Sequence, residues 1–133
     1  MEETNSWCFA CGSQNPIGLK LAFREENSTY MTTFTPKEEH QSYNGIVHGG
    51  ILSTLLDEVM AGYINAKGLN AVTAKLEVRF RQPTPIREEL TIIAQIVSKR
   101  RNLYEMSGQI TLPDGTITAE GKAVVAVVED IKT

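Results

Sequence analysis

The chain has few of the residues on which metal and redox sites depend. Among its 133 residues are two cysteines and two histidines. Because a structural zinc site takes about four ligands, Cys8 and Cys11 would need further ligands from a second chain. A redox Cys-x-x-Cys pair would open a helix in a βαβ unit, and no such pattern follows Cys11. The favoured interpretation is a pair of small buried residues in a tight N-terminal turn, with no metal and no cofactor.

The chain also lacks a basic excess and long apolar runs. Its formal net charge is −3 and its pI about 5.4, whereas nucleic-acid binders usually present a basic face. No apolar run approaches the roughly 18 residues of a membrane span. The segment from Met1 to Trp7 is acidic and polar, unlike a signal peptide. We therefore expect a cytoplasmic protein that binds neither nucleic acid nor membrane.

Six strand patterns and a turn-rich N-terminal knuckle at residues 1–17 account for most of a single domain, residues 1–133. A turn at Asn27-Ser28 joins the first two strands. In the third strand, the even-numbered residues from Val72 to Phe80 form an apolar face. Gly121 marks a possible bulge in the last strand. The strands are expected at about residues 19–24, 29–35, 72–80, 89–99, 103–112 and 117–128.

One long helix separates the first two strands from the last four. It is predicted to begin near His48-Gly49-Gly50 and to end near Lys67, with Gly68 as its C-terminal cap. Its apolar residues cover a wide arc, so most of the helix is buried. One antiparallel sheet curled around one helix buries that arc, which predicts an α+β architecture of the hotdog type.

The start of this helix carries the clearest chemical signal. Glycines at positions 49 and 50 leave backbone N–H groups accessible, so a carbonyl oxygen could approach them and be stabilised as an oxyanion. The alternative is that the two glycines only allow tight packing. Asp57, at the margin of the apolar arc with small neighbours and away from an exposed Glu58, favours the first interpretation. For Asp57 itself, the alternative is a solvated helix carboxylate at the edge of the core.

The spacing of these residues predicts a shared site. Gly49 and Asp57 lie eight residues apart, about 12 Å along a helix, whereas groups acting on one carbonyl must lie within roughly 3 Å of it. If two helices pack antiparallel across a two-fold axis, Asp57 of one chain faces Gly49 of the other. The chemical interpretation therefore predicts a homodimer.

Three motifs resemble one known family. His48-Gly49-Gly50, with Asp57 nine residues after the histidine, resembles the hotdog acyl-CoA thioesterases of the phenylacetyl-CoA thioesterase (PaaI-like) type. Cys8-Phe9-Ala10-Cys11-Gly12 with Asn15-Pro16-Ile17-Gly18-Leu19 resembles a subgroup of that family, and Phe80-Arg81-Gln82-Pro83 resembles a strand end of its members. The resemblance covers nearly the whole chain. It implies an acyl-CoA thioesterase, without metal or cofactor, whose dimers pair into tetramers.

The resemblance also implies roles for single residues. Asp57 would be the nucleophile or the base that activates water, and the Gly49 N–H would form the oxyanion hole beside Gly50. His48 would support substrate and loop, and Thr73 would supply an assisting hydroxyl. Where the family often has asparagine, six residues before the histidine, this chain has Ser42, so substrate preference or turnover could differ.

Other features leave alternatives open. Lys99-Arg100-Arg101, at a hairpin tip, is either a solubilising turn or a contact for the phosphates of CoA. A hotdog hydratase or dehydratase, or a non-catalytic acyl-CoA-binding protein, would also fit the pattern. His40 is expected to be a surface residue. Five residues are candidates for an acyl pocket: Tyr30, Phe34, Tyr43, Met60 and Tyr63.

Overall fold

One antiparallel sheet and one long helix make up the fold. The computed structural model describes residues 6–128, so Met1 to Asn5 of the predicted knuckle lie outside it. The elements are β1 (Arg24–Glu26), β2 (Thr29–Phe34), a 3-10 turn (Glu38–His40), α1 (Gly49–Asn65), β3 (Ala71–Phe80), β4 (Leu90–Arg100), β5 (Leu103–Thr111) and β6 (Ile117–Val127). The predicted sequence of two strands, one helix and four strands is confirmed. The sheet has the strand order β1-β2-β4-β5-β6-β3.

Helix α1 forms the centre of the core, as its wide apolar arc predicts. Each large apolar side chain that it buries contributes about 1.5–3 kcal/mol relative to exposure. This arrangement, a sheet wrapped around one helix, is the hotdog fold. No helix within residues 6–128 is long and apolar enough to cross a membrane. The buried residues of α1 are Leu52, Leu55, Leu56, Val59, Met60, Tyr63 and Ile64.

Two glycines of the sheet let the helix lie close to it. A Cβ atom on Gly108 would lie 3.1 Å from the carbonyl oxygen of Ile93 and 3.3 Å from Cγ of Met60. A Cβ atom on Gly121 would lie 3.0 Å from Cε of Met60. Gly121 pairs in continuous register with both neighbouring strands, so the predicted bulge there is wrong. Its missing side chain serves helix packing instead.

The first strand is shorter than expected and starts later. Leu19 and Leu21 are buried, but their N–H groups donate to the carbonyl oxygens of Phe9 (2.8 Å) and Ala10 (2.9 Å). Lys20, between them, has a φ of 57°. The predicted strand at residues 19–24 is therefore wrong over most of its length, because these backbone groups bond to the knuckle. The knuckle is thus fastened to the body of the fold.

Strand β3 is the edge of the sheet and contains a bulge between Thr73 and Lys75. Thr73 pairs with buried Val125, so its side chain faces the helix. The extra residue shifts the alternation of side chains between the two faces of the sheet. Val72, which precedes the bulge, therefore does not share a face with Leu76 and Phe80. The expected common face is wrong at this end of the strand. Without the bulge, Thr73 would point away from the helix.

Candidate active site

Asp57 and Thr73 form the centre of the candidate site. Asp57 lies in the middle of α1 and is half-buried, and Thr73 lies on the edge strand β3. The Thr73 hydroxyl donates a hydrogen bond of 2.6 Å to Oδ1 of Asp57. This bond orients one carboxylate oxygen and leaves Oδ2 free to act on a substrate or a water molecule. The sequence-predicted pair is therefore brought together within one chain.

The start of α1 presents one unused backbone donor. His48 is the N-cap, and its Nδ1 accepts the Gly50 N–H at 2.8 Å. The Ile51 N–H donates to the carbonyl oxygen of His48 at 3.0 Å. Within residues 6–128, the Gly49 N–H has no acceptor. The predicted oxyanion donor is therefore available, whereas that of Gly50 is occupied by the His48 ring.

Gly49 lies against the far end of β3. A Cβ atom at this position would be 3.3 Å from Cζ of Phe80, whose own side chain is 52% exposed. This space is tighter than most carbon contacts in proteins. A side chain at position 49 would therefore crowd this exposed aromatic ring.

The donor and the carboxylate lie on different parts of the helix. Eight residues separate Gly49 from Asp57 within the unbroken helix Gly49–Asn65, which corresponds to about 12 Å along the axis. One carbonyl group cannot contact both groups of a single chain. A complete site of this kind would need a second copy.

The loop before the helix holds His48 in place. The His48 N–H donates to the carbonyl oxygen of His40 at 2.8 Å. The His40 ring accepts the Lys37 N–H at 2.9 Å and lies edge-on to Phe34, with 5.1 Å between ring centroids. His40 is thus a partly exposed residue of this loop, as expected, and its ring also packs against Phe34. Ser42, in contrast, is exposed and its N–H donates to Ile46.

The basic hairpin tip lies at the opposite end of the sheet from Gly49. Arg100 and Arg101 follow each other at the turn between β4 and β5, and both are exposed. A cross-strand row connects Thr73 through Val125 and Tyr104 to Lys99, next to this tip. Within one chain, Arg100 and Arg101 therefore lie at the end of the sheet where β3 begins, far from the start of α1.

Glu58 occupies a different environment from the one expected. It is half-buried, and its carboxylate lies near the thiols of Cys8 and Cys11, with the ligand atoms within 4.8 Å of one another. Burial raises the pKa of Glu58, and the charge of Asp57 raises it further, while a hydrogen bond with Cys11 lowers it. The prediction of an exposed Glu58 is wrong because the N-terminal knuckle covers this part of the helix. The cysteines, also expected to be buried, are half-buried.

The aromatic candidates for a pocket fall into two groups. Tyr63 is 2% exposed, its hydroxyl donates to Glu25 at 2.6 Å, and burial followed by this contact raises its pKa to about 12. Tyr30 stacks on Tyr63 with 5.0 Å between centroids. Tyr43, in contrast, is 81% exposed. Tyr30 and Tyr63 are thus committed to packing, as is the fully buried Met60.

A groove on the sheet has no connection with this chemistry. Its volume is about 690 Å³, and it is lined by polar and charged residues that include Arg79, Gln109 and Glu120. Neither Asp57 nor Gly49 lines it. Its size alone therefore does not make it the reaction site.

The family of the chain follows from its sequence. Residues 44–119 match the family model of the thioesterase superfamily. This span is more than half of the chain, and it contains Gly49, Asp57 and Thr73. The chain therefore belongs to the thioesterase superfamily, and the resemblance seen in its motifs is confirmed.

Known proteins agree with this assignment. Acyl-coenzyme A thioesterase 13 of Mus musculus is 29% identical over 89 residues, which are 65% of this chain and 64% of the relative. The chain thus spans slightly less than two thirds of that relative's length. The solved thioesterase superfamily protein RHA08564 is 28% identical with a TM-score of 0.80, over 90% of this chain and 61% of the other. The E. coli PaaI protein from the phenylacetic acid degradation operon, 21% identical, shares the fold with a TM-score of 0.76 over 83% of this chain and 80% of its own.

Proposed function

We propose that the chain hydrolyses acyl-CoA thioesters to free acid and CoA. The observation that carries the proposal is the 2.6 Å hydrogen bond that orients the Asp57 carboxylate on the central helix. A fixed carboxylate with one free oxygen suits a nucleophile or a general base. The name of the mouse relative, an acyl-coenzyme A thioesterase, supports the same substrate class.

The oxyanion of the reaction would be stabilised by the Gly49 N–H of a second copy. This donor has no acceptor within residues 6–128, and it lies at the positive end of the α1 dipole. The His48 ring accepts the N–H of the neighbouring Gly50, so its role is to fix the first turn of the helix beside the Gly49 donor. In one route, Asp57 removes a proton from water, the water oxygen attacks the thioester carbon, and the same proton passes to the sulfur as the C–S bond breaks. In the other, Asp57 attacks the thioester carbon, CoA leaves as a thiolate that takes a proton from solvent, and water then hydrolyses the acyl-enzyme anhydride.

The edge strand offers a surface for this pairing. Leu76 and Phe80 on β3 are 37% and 52% exposed, and an open apolar edge favours pairing with another strand. A two-fold axis perpendicular to the sheet would pair two copies of β3 as antiparallel strands. It would also place both helices on the same face of the joined sheet, antiparallel to each other. A register centred between Leu76 and Glu77 would set Thr73 opposite the partner's Phe80, which lies against the partner's Gly49. Further pairing into tetramers stays a prediction.

The position of the basic tip fits the same assembly. Antiparallel helices would bring the end of the sheet that carries Arg100 and Arg101 toward the partner's helix start. There, the two guanidinium groups would suit the phosphates of CoA. Ser42 and Gly50 of the helix-start region would line the route to the thioester.

The hydratase alternative is less well supported by the geometry. Hydration of an enoyl thioester needs a histidine that can act as a base, whereas the Nδ1 lone pair of His48 already accepts the Gly50 N–H, so that a neutral ring carries its proton on Nε2. An assay of enoyl-CoA hydration separates the two reactions. Ligand binding with no turnover would favour a non-catalytic acyl-CoA-binding protein.

The test is thiol release from a panel of aromatic and aliphatic acyl-CoAs. We expect Asp57→Asn to lose nearly all turnover, while the matched variant Asp114→Asn, changed in an exposed turn, keeps wild-type rates. Wild-type turnover in Asp57→Asn would refute the role of this carboxylate, and no turnover by the wild-type protein would refute the proposed reaction.

The dimer is tested separately by light scattering after size-exclusion chromatography. Leu76→Arg places a charge on the β3 edge and is expected to yield inactive monomers. Val97→Arg is the control, because Val97 is 62% exposed on β4, away from that edge. A Leu76→Arg protein that stays dimeric would contradict pairing through β3.

A further inference from the structure

Three potential metal ligands converge between the N-terminal knuckle and the helix. They are the thiols of Cys8 and Cys11 and the carboxylate of Glu58, with ligand atoms within 4.8 Å of one another. All three residues are half-buried. The cysteines come from the knuckle and the glutamate comes from α1, so the cluster bridges two parts of the fold.

The knuckle is held in shape by bonds of its own. The Gly12 N–H donates to the carbonyl oxygen of Cys8 at 2.8 Å, which closes the Cys-x-x-Cys-Gly turn. Ala10, between the cysteines, is only 4% exposed and belongs to the core. The side chain of Asn15 donates to Trp7 at 3.1 Å and accepts from Ile17 at 3.1 Å. Both thiols are therefore positioned before any ligand binds.

The donor set of the cluster, two thiols and one carboxylate, suits a cation. None of the ion pairs within residues 6–128 involves Glu58. Thiolates and a carboxylate packed together in this way are stable only when protonated or when bound to a positive ion.

The donor set favours a metal site over a disulfide. A disulfide would use the two sulfur atoms alone and would leave the half-buried Glu58 carboxylate without an ion-pair partner among residues 6–128. Tetrahedral zinc holds two sulfur ligands about 3.8 Å apart, and a sulfur and an oxygen ligand about 3.5 Å apart. The three atoms would therefore need to approach one another by about 1.3 Å at most.

We propose that Cys8, Cys11 and Glu58 bind one thiophilic divalent cation of the zinc type. The cation fastens the knuckle to α1, and a solvent molecule completes its coordination. Binding exchanges the thiol protons for the metal, so uptake releases protons to solvent. The site is separate from the proposed thioesterase chemistry, which needs no metal. The sequence-based expectation that zinc would need a second chain is revised, because the third ligand comes from the helix.

The experiment uses the whole chain, purified in reductant and without immobilised-metal resin. Bound metals are counted by mass spectrometry, then removed with a chelator. The reduced, metal-free protein is titrated with Zn²⁺ by calorimetry and with Co²⁺ by absorbance. We compare wild type with Cys8→Ser/Cys11→Ser, Glu58→Gln and the control Glu88→Gln, an exposed carboxylate of the loop before β4. Circular dichroism checks that each variant is folded.

The expected result is one metal per wild-type chain and a thiolate-to-cobalt charge-transfer band. The double cysteine variant should lose the metal, Glu58→Gln should bind it at least about tenfold more weakly, and Glu88→Gln should bind it as wild type does. Because the wild-type titration needs no variant, misfolding of a variant leaves the test intact. Failure of reduced wild type to take up one equivalent, or wild-type affinity in Glu58→Gln, would overturn the proposal.

Discussion

The hydroxyl of Thr73 lies 2.6 Å from Oδ1 of Asp57 and joins the edge strand to the central helix. The β3 bulge makes this contact possible, because it turns Thr73 to the helix side of the sheet. A substitution at Thr73 thus tests whether the orientation of Asp57 matters. We expect Thr73→Ala to lower kcat about ten- to a hundredfold, since the carboxylate loses its orienting bond.

Thr73→Ser keeps the hydroxyl and should retain most of the activity. Steady-state kinetics on both variants, with KM measured separately, provide the comparison. Equal kcat values in Thr73→Ala and wild type would show that the bond only supports the fold.

Gly49→Ala should impair turnover without unfolding the protein. The added methyl group would lie 3.3 Å from the Phe80 ring and would crowd the unpaired N–H. Loss of an oxyanion donor costs roughly a hundredfold or more in kcat, and partial blocking should cost about tenfold or more. Gly62→Ala is the control on the same helix, because its methyl group would meet only ordinary contacts at 3.6 Å or more. A fully active Gly49→Ala protein would argue against this donor.

The two sheet glycines should differ in their tolerance of a side chain. Gly108→Ala brings a methyl group against the backbone oxygen of Ile93, which cannot move away, and should cost about 1–3 kcal/mol of unfolding free energy. Gly121→Ala meets the terminal methyl of Met60, which can rotate, so its cost should be smaller. Urea denaturation measures both, and the reverse order would contradict this packing.

The stability of the protein should fall in mild acid in part through His40. Burial lowers the pKa of His40 from 6.5, the charge of Glu39 raises it and that of Lys37 lowers it. The folded pKa lies below the unfolded value, so the unfolded chain binds more protons in this range. The stabilising contribution of neutral His40 is therefore fully present above about pH 6.5, and it is lost as the pH falls toward the folded pKa of this residue.

His40→Asn retains an acceptor for the Lys37 N–H but does not titrate. Unfolding free energies from urea denaturation between about pH 5 and pH 7.5 should show a smaller loss on acidification in this variant than in wild type. Identical pH profiles would mean that other groups account for the acid sensitivity.

Much of the fold could be predicted from the periodicity of apolar residues. The helix and the four long strands have strong patterns, and the structure places them within two residues of the expected bounds. The first strand could not be predicted in this way, because Leu19 and Leu21 alternate like strand residues but bond to the knuckle. The alternation of apolar residues along a segment does not show which carbonyl oxygen elsewhere in the chain accepts its N–H groups.

The candidate site was predictable where it depends on local sequence. Gly49 and Asp57 follow from the glycine pair and the helical spacing, and the free N–H agrees with that interpretation. The half-burial of Glu58 depends on a knuckle some fifty residues away in sequence, which helical periodicity does not report. The bulge that turns Thr73 inward also lacks a sequence signal, since Ala74 is an ordinary strand residue.

A mixed dimer shows whether two chains share each active site. Asp57→Ala and Gly49→Ala chains are co-expressed with different affinity tags, and the species that carries both tags is isolated. If each site combines Asp57 of one chain with Gly49 of the other, one of its two sites is intact. Sites shared between the chains predict about half of the wild-type rate of thiol release from acyl-CoA, while the Asp57→Ala parent is nearly inactive and the Gly49→Ala parent keeps about a tenth of that rate or less. A mixed dimer no more active than its parents would contradict a shared site.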